Sequence, residues 1–199
     1  MSDHQIDNGK RTWIIASSCA GVVGAGFAAV PFVSSFSPSE RARAAGAAVE
    51  VDIGALKSGE KMTVEWRGKP VWIVKRSPEQ LAALPKVDAL LADPKSERKP
   101  DELTPAYARN ADRSIKPEIL VVVGICSHLG CSPSDKFTPG AQPSLPDDWA
   151  GGFLCPCHGS TFDMAGRVYK NKPAPDNLEV PPHMYLSDTR LIIGEDKKA

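Results

Sequence analysis

Hydrophobic positions are concentrated near the start of the chain, where residues 12–39 include no charged side chain. A helix of about 20 to 25 apolar residues crosses the roughly 30 Å hydrocarbon core of a membrane. The pattern therefore predicts one transmembrane helix over residues 12–36. Trp13 and Phe36 lie near its two ends, as is typical of aromatic residues at the membrane interface. A cleaved signal peptide is the alternative, but its apolar region is usually shorter, about 7 to 15 residues.

The composition changes after this apolar run. Residues 37–48 are small and poor in large apolar groups, so they predict a flexible hinge or tether. From residue 49 onward, hydrophobic and polar positions alternate in short runs separated by turn residues, a pattern typical of strands. We therefore expect a soluble domain over residues 49–199 that is mainly β and forms an antiparallel sandwich.

Nine short strands and one helical insert are predicted in this domain. The predicted strands cover residues 49–53, 62–66, 71–74, 119–125, 153–154, 167–169, 178–180, 184–186 and 191–193. Ser77 and Gln80 form a capping-box pattern with a proline at the first helical position, which predicts the start of a helix. The polar and charged segment 93–116 is expected to be a surface excursion.

The charge balance excludes one class of partner. Lys plus Arg and Asp plus Glu number 24 each, so no strong basic field is available to hold a polyanion. Nucleic acid is therefore not an expected partner.

Cysteine and histidine are concentrated in two hexapeptides, Cys-Ser-His-Leu-Gly-Cys at 126–131 and Cys-Pro-Cys-His-Gly-Ser at 155–160. Together they contain four of the five cysteines and two of the four histidines. Two thiolates and two imidazoles are the ligands of a Rieske-type 2Fe-2S cluster, in which two histidines replace two cysteines on one iron. A Cys2His2 zinc site uses the same ligand atoms and is the alternative, although Cys-x-His is not the usual zinc-finger spacing. His4 and His183 lie outside the hexapeptides and are interpreted as surface residues without a ligand role.

On these residues the chain resembles the Rieske iron-sulfur subunit of the quinol:cytochrome c oxidoreductase family. The resemblance extends from the apolar run through Trp-Arg-Gly-Lys-Pro-Val at 66–71 and both hexapeptides to Asn-Leu-Glu-Val-Pro at 177–181. It implies a Rieske-type head with a cluster-binding subdomain over about residues 120–181 and one 2Fe-2S cluster. It also implies that the chain is a subunit of a bacterial ubiquinol-cytochrome c reductase, a translocase-class oxidoreductase of the cytochrome bc type.

The resemblance assigns roles to individual residues. It implies that the inner iron is held by Cys126 and Cys155, and the outer iron by His128 and His158. It further implies a disulfide between the two remaining cysteines, Cys131 and Cys157. A serine at the position of Ser160 donates its hydroxyl to a bridging sulfide in the family, and His158 matches the residue that contacts the quinol hydroxyl and accepts its proton.

Three residues near the hexapeptides are expected to affect the reduction potential of the cluster or its surroundings. Phe162 stands where many relatives have a tyrosine that bonds a ligand sulfur, so we expect a potential on the lower side for a quinol-oxidising cluster. Lys172 replaces a common glycine at the start of the Pro-rich loop 172–175, which resembles the loop that covers the cluster. Leu129 is expected to shield the cluster and to touch the quinone pocket.

The resemblance also implies partners and a location. Ubiquinol at a cytochrome b subunit would give one electron and one proton, and a c-type cytochrome would accept the electron, which contributes to the proton-motive force. We expect a dimeric complex in the bacterial inner membrane, with residues 1–11 cytoplasmic and the head periplasmic. Lys10 and Arg11 begin a segment that resembles a twin-arginine export signal with its first arginine replaced. The alternative is the Rieske subunit of another exported oxidoreductase, such as an arsenite oxidase.

Overall fold

The structure is a computed structural model that describes residues 7–40, 46–99 and 102–196. The chain divides into two compact units, Met1–Ala44 and Ala45–Ala199. The first unit contains one long helix and the second contains the sheets. Residues 1–6 of the predicted cytoplasmic terminus and 41–45 of the predicted hinge lie outside the described residues.

Helix α1 covers Asn8–Ser35 and begins four residues before the predicted membrane segment. The earlier start has a local cause, because the Asp7 side chain caps the helix by accepting a hydrogen bond from the Lys10 amide at 3.1 Å. In the part of the chain that the structure describes, this is the one helix that is long and apolar enough to cross a membrane. Its mean hydropathy reaches 1.8, and none of its residues is buried within the chain.

The head contains three antiparallel sheets of three strands each among the described residues, with the orders β1-β9-β8, β2-β3-β4 and β5-β6-β7. The strands are β1 Val49–Asp52, β2 Lys61–Trp66, β3 Lys69–Lys75, β4 Ile119–Val123, β5 Ser134–Lys136, β6 Gly152–Leu154, β7 Thr161–Asp163, β8 His183–Tyr185 and β9 Arg190–Ile193. The mainly β, antiparallel fold class is therefore confirmed.

Two of the predicted strands are wrong. Residues 167–169 form only isolated bridges, through Val168 and Tyr169, and residues 178–180 join no sheet. Each of these segments makes isolated backbone hydrogen bonds and does not pair along a whole strand. For example, the Glu179 carbonyl accepts a hydrogen bond from the Val123 amide at 2.8 Å. Conversely, strands β5 and β7 were not predicted, and each is only three residues long.

The predicted hairpin and helical insert are confirmed. Arg67 and Gly68 both have positive φ, 52° and 71°, in the two-residue turn that joins β2 to β3, as the favoured hairpin turn requires. Helix α2 covers Pro78–Val87, and its capping box is complete: the Ser77 hydroxyl accepts the Gln80 amide, and the Gln80 side chain accepts the Ser77 amide.

The prediction that residues 93–116 form a surface excursion is only partly correct, because most of the described residues are exposed or half-buried but a few are buried. Arg113 is fully buried within this segment, and Ala108 is buried in a short 3-10 helix, Ala106–Ala108. The Arg113 guanidinium donates to the carbonyls of Ala165, Gly166 and Leu178 at 2.9, 3.2 and 2.7 Å. This segment is therefore held to the backbone of the turn that follows β7 and to the backbone at Leu178.

His183 also differs from the expectation of a surface histidine. Its side chain is buried, and its Nδ1 lies 2.8 Å from the Pro181 carbonyl oxygen. The ring packs edge-on against Tyr107 at a centroid distance of 5.6 Å. Burial lowers the pKa of His183 below its ordinary value.

The β2-β3-β4 sheet separates two hydrophobic cores. In β3, Val71 and Ile73 face one core while Trp72 and Val74 face the other, as the two-residue period of a strand requires. Trp72 stacks on Phe153 of β6 at a centroid distance of 5.1 Å. This contact brings β6 close to the β2-β3-β4 sheet. The hexapeptide that follows β6 therefore lies near the hexapeptide that follows β4.

Candidate metal centre

The first hexapeptide forms a closed loop just beyond β4; we call residues 126–131 loop 1. The Cys126 amide donates to the Cys131 carbonyl at 2.8 Å, and the Gly130 amide donates to the Cys126 carbonyl at 3.1 Å. Gly130 has a φ of 82°, a conformation that glycine adopts without strain. The loop is therefore held by its own backbone and leaves its side chains free for other contacts.

The second hexapeptide, loop 2 (residues 155–160), lies directly between β6 and β7 and closes in the same way. The Cys155 amide donates to the Ser160 carbonyl at 2.7 Å, and the Gly159 amide donates to the Cys155 carbonyl at 3.0 Å. Gly159 has a φ of 74°. Two loops of the same local conformation therefore face each other at one end of the head.

The first cysteine of each loop is a buried free thiol. Cys126 and Cys155 are each 2% exposed. The Cys126 thiol lies within hydrogen-bonding reach of Cys155 and of the Ser160 hydroxyl. Burial raises the pKa of the Cys126 thiol, so a thiolate here needs a positive partner, which a bound metal supplies.

The histidines of the two loops lie together as well. The rings of His128 and His158 pack edge-on with centroids 4.7 Å apart. His128 is half-buried and His158 is exposed. A pair of buried thiols and a pair of outer imidazoles are thus brought together by the two loops.

Cys131 and Cys157 are joined by a disulfide across the loops, the pairing that the resemblance implies. Their sulfur atoms lie within 4.8 Å of the Cys155 sulfur. Sulfurs in a disulfide have no thiolate to offer a metal, so these three cysteines are not a metal site on their own. The free donor atoms at this end of the head are those of Cys126, Cys155 and the two histidines.

A third loop is hydrogen-bonded to both loop 1 and loop 2; we call residues 172–176 the lid. The Ala174 amide donates to the Ser160 hydroxyl oxygen at 3.0 Å, which ties the lid to loop 2. The Ser127 hydroxyl donates to the Asp176 carbonyl at 2.6 Å, and the Asp176 amide donates to the same hydroxyl oxygen at 3.3 Å, which ties the lid to loop 1.

Sequence reasoning did not identify Ser127 or Asp176. Ser127 adjoins a candidate ligand, but its partner lies 49 residues away, and neither residue type signals such a contact.

The three residues expected to affect the cluster or its surroundings lie in different places: Phe162 is fully buried in β7, Lys172 is exposed at the start of the lid, and Leu129 is 70% exposed.

Comparisons with known proteins identify the family of the chain. The sequence model of the Rieske [2Fe-2S] domain matches residues 99–182. A second family, described as the Ubiquitinol-cytochrome C reductase Fe-S subunit TAT signal, matches residues 7–39. The ubiquinol-cytochrome c reductase iron-sulfur subunit of Allochromatium vinosum is 58% identical over 191 residues, which cover 94% of this chain and 89% of the relative. The chain belongs to the family of ubiquinol-cytochrome c reductase iron-sulfur subunits.

Two further matches extend the comparison. The protein of the same name from Bradyrhizobium diazoefficiens is 40% identical over 181 residues, with 90% of each chain covered. Among solved structures, a chain of a hyperthermophilic respiratory Complex III aligns with a TM-score of 0.47 and 24% identity, covering 89% of this chain and 97% of that chain.

The cofactor of the family is one Rieske-type 2Fe-2S cluster, and the residues of this chain fit it. The site offers two buried free thiols, two adjacent imidazoles, and a disulfide that joins the loops. The match to the Rieske domain therefore favours a 2Fe-2S cluster over the zinc site that was the alternative.

Proposed function

We propose that this chain is the electron-transfer subunit that takes one electron and one proton from ubiquinol at a cytochrome b subunit and passes the electron to a c-type cytochrome. The observation that carries the proposal is a pair of adjacent imidazoles, one of them exposed, on the same two loops as a pair of buried thiols. This arrangement offers an electron carrier that is shielded on its inner side and open to a partner on its outer side.

Four residues would hold the cluster: Cys126 and Cys155 through their thiolates, and His128 and His158 through ring nitrogens. When bound, the cluster supplies reversible one-electron chemistry, with a potential in the range of roughly −150 to +300 mV for Rieske centres. The Ser160 hydroxyl lies against the Cys126 thiol. It is therefore placed to donate a hydrogen bond that stabilises negative charge on sulfur.

His158 is the residue proposed to meet the quinol. It is the exposed member of the imidazole pair, so a ring nitrogen is open to accept a hydrogen bond from a quinol hydroxyl. A base in that position is also within reach of the quinol proton, as general-base chemistry requires. Leu129, 70% exposed on the neighbouring loop, supplies apolar surface for the quinol ring.

The proposed location follows from the N-terminal unit. Helix α1 is proposed to cross the bacterial inner membrane once, with the N-terminus cytoplasmic, the head periplasmic and residues 37–48 acting as the tether. The match of residues 7–39 to an export-signal family supports this topology. A dimeric complex is proposed from the resemblance. The matches to ubiquinol-cytochrome c reductase subunits leave the arsenite oxidase alternative without support.

The ligand assignment is tested on the full-length chain purified in its membrane complex. We expect His158→Gln to abolish the paramagnetic resonance signal of the reduced cluster, because an amide replaces an imidazole ligand. The matched control is His183→Gln, which alters a buried histidine outside the two loops and should keep the signal. A full signal in His158→Gln would refute the assignment.

The quinol contact is tested by Leu129→Ser, which keeps every proposed ligand. We expect a normal resonance signal and turnover of ubiquinol reduced by roughly tenfold, the factor for losing about 1.5 kcal/mol of apolar burial. The control is Leu186→Ser, another exposed leucine, in the turn between β8 and β9. Equal turnover in the two variants would contradict a quinol site at this tip.

A further inference from the structure

The lid is held by an element outside the two loops; we call residues 93–99 the basic turn. Arg98 donates from Nη1 to the Pro175 carbonyl oxygen at 2.8 Å. The Lys99 ammonium lies 2.8 Å from an Asp176 carboxylate oxygen, with the Lys99 side chain 51% exposed and the Asp176 side chain 11% exposed. Two adjacent cationic side chains therefore bind two adjacent residues of the lid, one through a hydrogen bond and one through an ion pair.

The basic turn is itself well anchored. The buried Asp93 carboxylate accepts the amides of Glu97 and Arg98 at 2.9 and 3.0 Å. The Asn177 side chain donates to the Asp93 carbonyl at 2.9 Å and to the Ser96 hydroxyl at 3.2 Å. Because Asn177 directly follows the lid, the turn and the end of the lid form one hydrogen-bonded unit.

The lid in turn orients the Ser160 hydroxyl. The oxygen of this hydroxyl accepts the Ala174 amide, and the group also lies in reach of the Cys126 thiol. A hydroxyl has a single proton, and its oxygen is already engaged by the lid, so the proton is free to point at sulfur. A lid that moves away removes the amide that fixes this orientation.

We propose that Lys99 and Asp176, assisted by Arg98, form an ion-pair latch that holds the lid closed and thereby orients the Ser160 hydroxyl toward sulfur at the cluster site. Lys99 is a positioning residue, since it acts through the lid and touches none of the proposed ligands. A fixed hydroxyl donor raises the reduction potential of the site, and a closed lid excludes water from it. The proposal rests on the cluster site assigned above and is independent of ubiquinol as the electron donor.

The decisive variant is Lys99→Gln/Asp176→Asn in the full-length protein, because it removes the latch without changing the net charge. Deuterium exchange of the peptide that spans the lid, followed by mass spectrometry, reports closure. We expect exchange up to about fivefold faster, the factor for the upper range of an exposed ion pair. A redox titration with soluble mediators should show a downward shift of the midpoint.

The controls separate the latch from general charge effects. Lys95→Gln removes an exposed lysine of the same turn and should leave both readouts unchanged. The exchanged pair Lys99→Asp/Asp176→Lys should restore slow exchange and the original midpoint. In the unmodified protein, 1 M salt should accelerate lid exchange, since the screening length falls to about 3 Å; the double variant should not respond.

Each outcome decides one step. If the double variant and Lys95→Gln show the same lid exchange, there is no latch. Faster exchange with an unchanged midpoint would refute the orientation of Ser160 by the lid. A missing cluster signal in the unmodified protein would overturn the cluster site itself, whereas loss of ubiquinol turnover alone would leave the latch standing.

Discussion

Replacing Asp163 with asparagine should destabilise the head strongly, because it leaves a buried guanidinium without its nearest counter-charge. Asp163 lies at the end of β7, and Arg167 contacts its carboxylate through Nε at 2.8 Å and Nη2 at 2.7 Å. Both side chains are only 1% exposed. Burial alone would lower the pKa of Arg167, but the carboxylates of Asp163 and Asp88 outweigh it and raise that pKa.

The size of the effect follows from these contacts. Removing one partner of a buried ion pair costs about 3 to 5 kcal/mol. We expect a value near the lower end, about 3 kcal/mol, because Asp88 still contacts Arg167 at 2.8 Å and is half-exposed. Asp163 also accepts the amides of Ala165 and Arg167, contacts that one oxygen of asparagine can keep. The loss is a large share of the roughly 5 to 15 kcal/mol that stabilises a typical domain.

The assay is denaturant unfolding of the full-length protein in detergent, followed by tryptophan fluorescence. Asp188→Asn is the matched control, because Asp188 pairs with Lys116 at 3.1 Å while its side chain is fully exposed. An exposed pair contributes little, so the control should unfold close to the unmodified protein. If the two variants shift the unfolding midpoint equally, the buried pair does not stabilise the head as argued.

Three further predictions concern the potential, the disulfide and pH. Phe162→Tyr should raise the midpoint potential in a redox titration, since the hydroxyl adds a donor near a ligand sulfur; an unchanged midpoint would reject this role. Cys157→Ser removes a link between residues 26 positions apart and should lower the denaturant midpoint by the equivalent of at most about 3 to 4 kcal/mol. If the variant keeps its cluster on dilution to the same extent as the unmodified protein, the loops need no link to hold it. His183 has a pKa below its ordinary 6.5 because it is buried, with Asp196 acting in the opposite direction, so the unfolded chain binds the proton more tightly. Its contribution to stability is therefore complete above about pH 6.5 and declines as pH falls below that value, by up to about 1.4 kcal/mol per unit; a stability profile that is equally steep in His183→Gln would exclude this residue as the cause.

Much of the fold could be predicted because its signals are local. The capping box at Ser77 and Gln80, the turn at Arg67 and Gly68, and the alternation along β3 each depend on neighbouring residues. The burial of Arg113 could not be predicted, because three of its partners are backbone carbonyls. Every residue has a carbonyl, so such a contact leaves no trace in the sequence.

The site shows the same division. The spacing of cysteine and histidine indicated the kind of cluster and the residues that gather around it. The lid contacts of Ser127 and Asp176 depend on the path of the chain over 49 residues, and spacing carries no information about them. The basic turn was missed for a related reason: Arg98 and Lys99 are exposed, as their charge suggests, but their partners in the lid lie 77 positions away along the chain.

The matching closure of loops 1 and 2 allows their residues to be compared position by position. Counted from the first cysteine, the fourth position is exposed in both loops, and it holds Leu129 in one and His158 in the other. The histidine of loop 1 stands one position earlier and is half-buried. The histidine is thus displaced by one residue between two loops that otherwise match, and this makes the tip asymmetric: one loop exposes an imidazole and the other exposes an apolar side chain. A partner that combines one hydroxyl with a hydrophobic ring has one orientation in which both of its parts are matched.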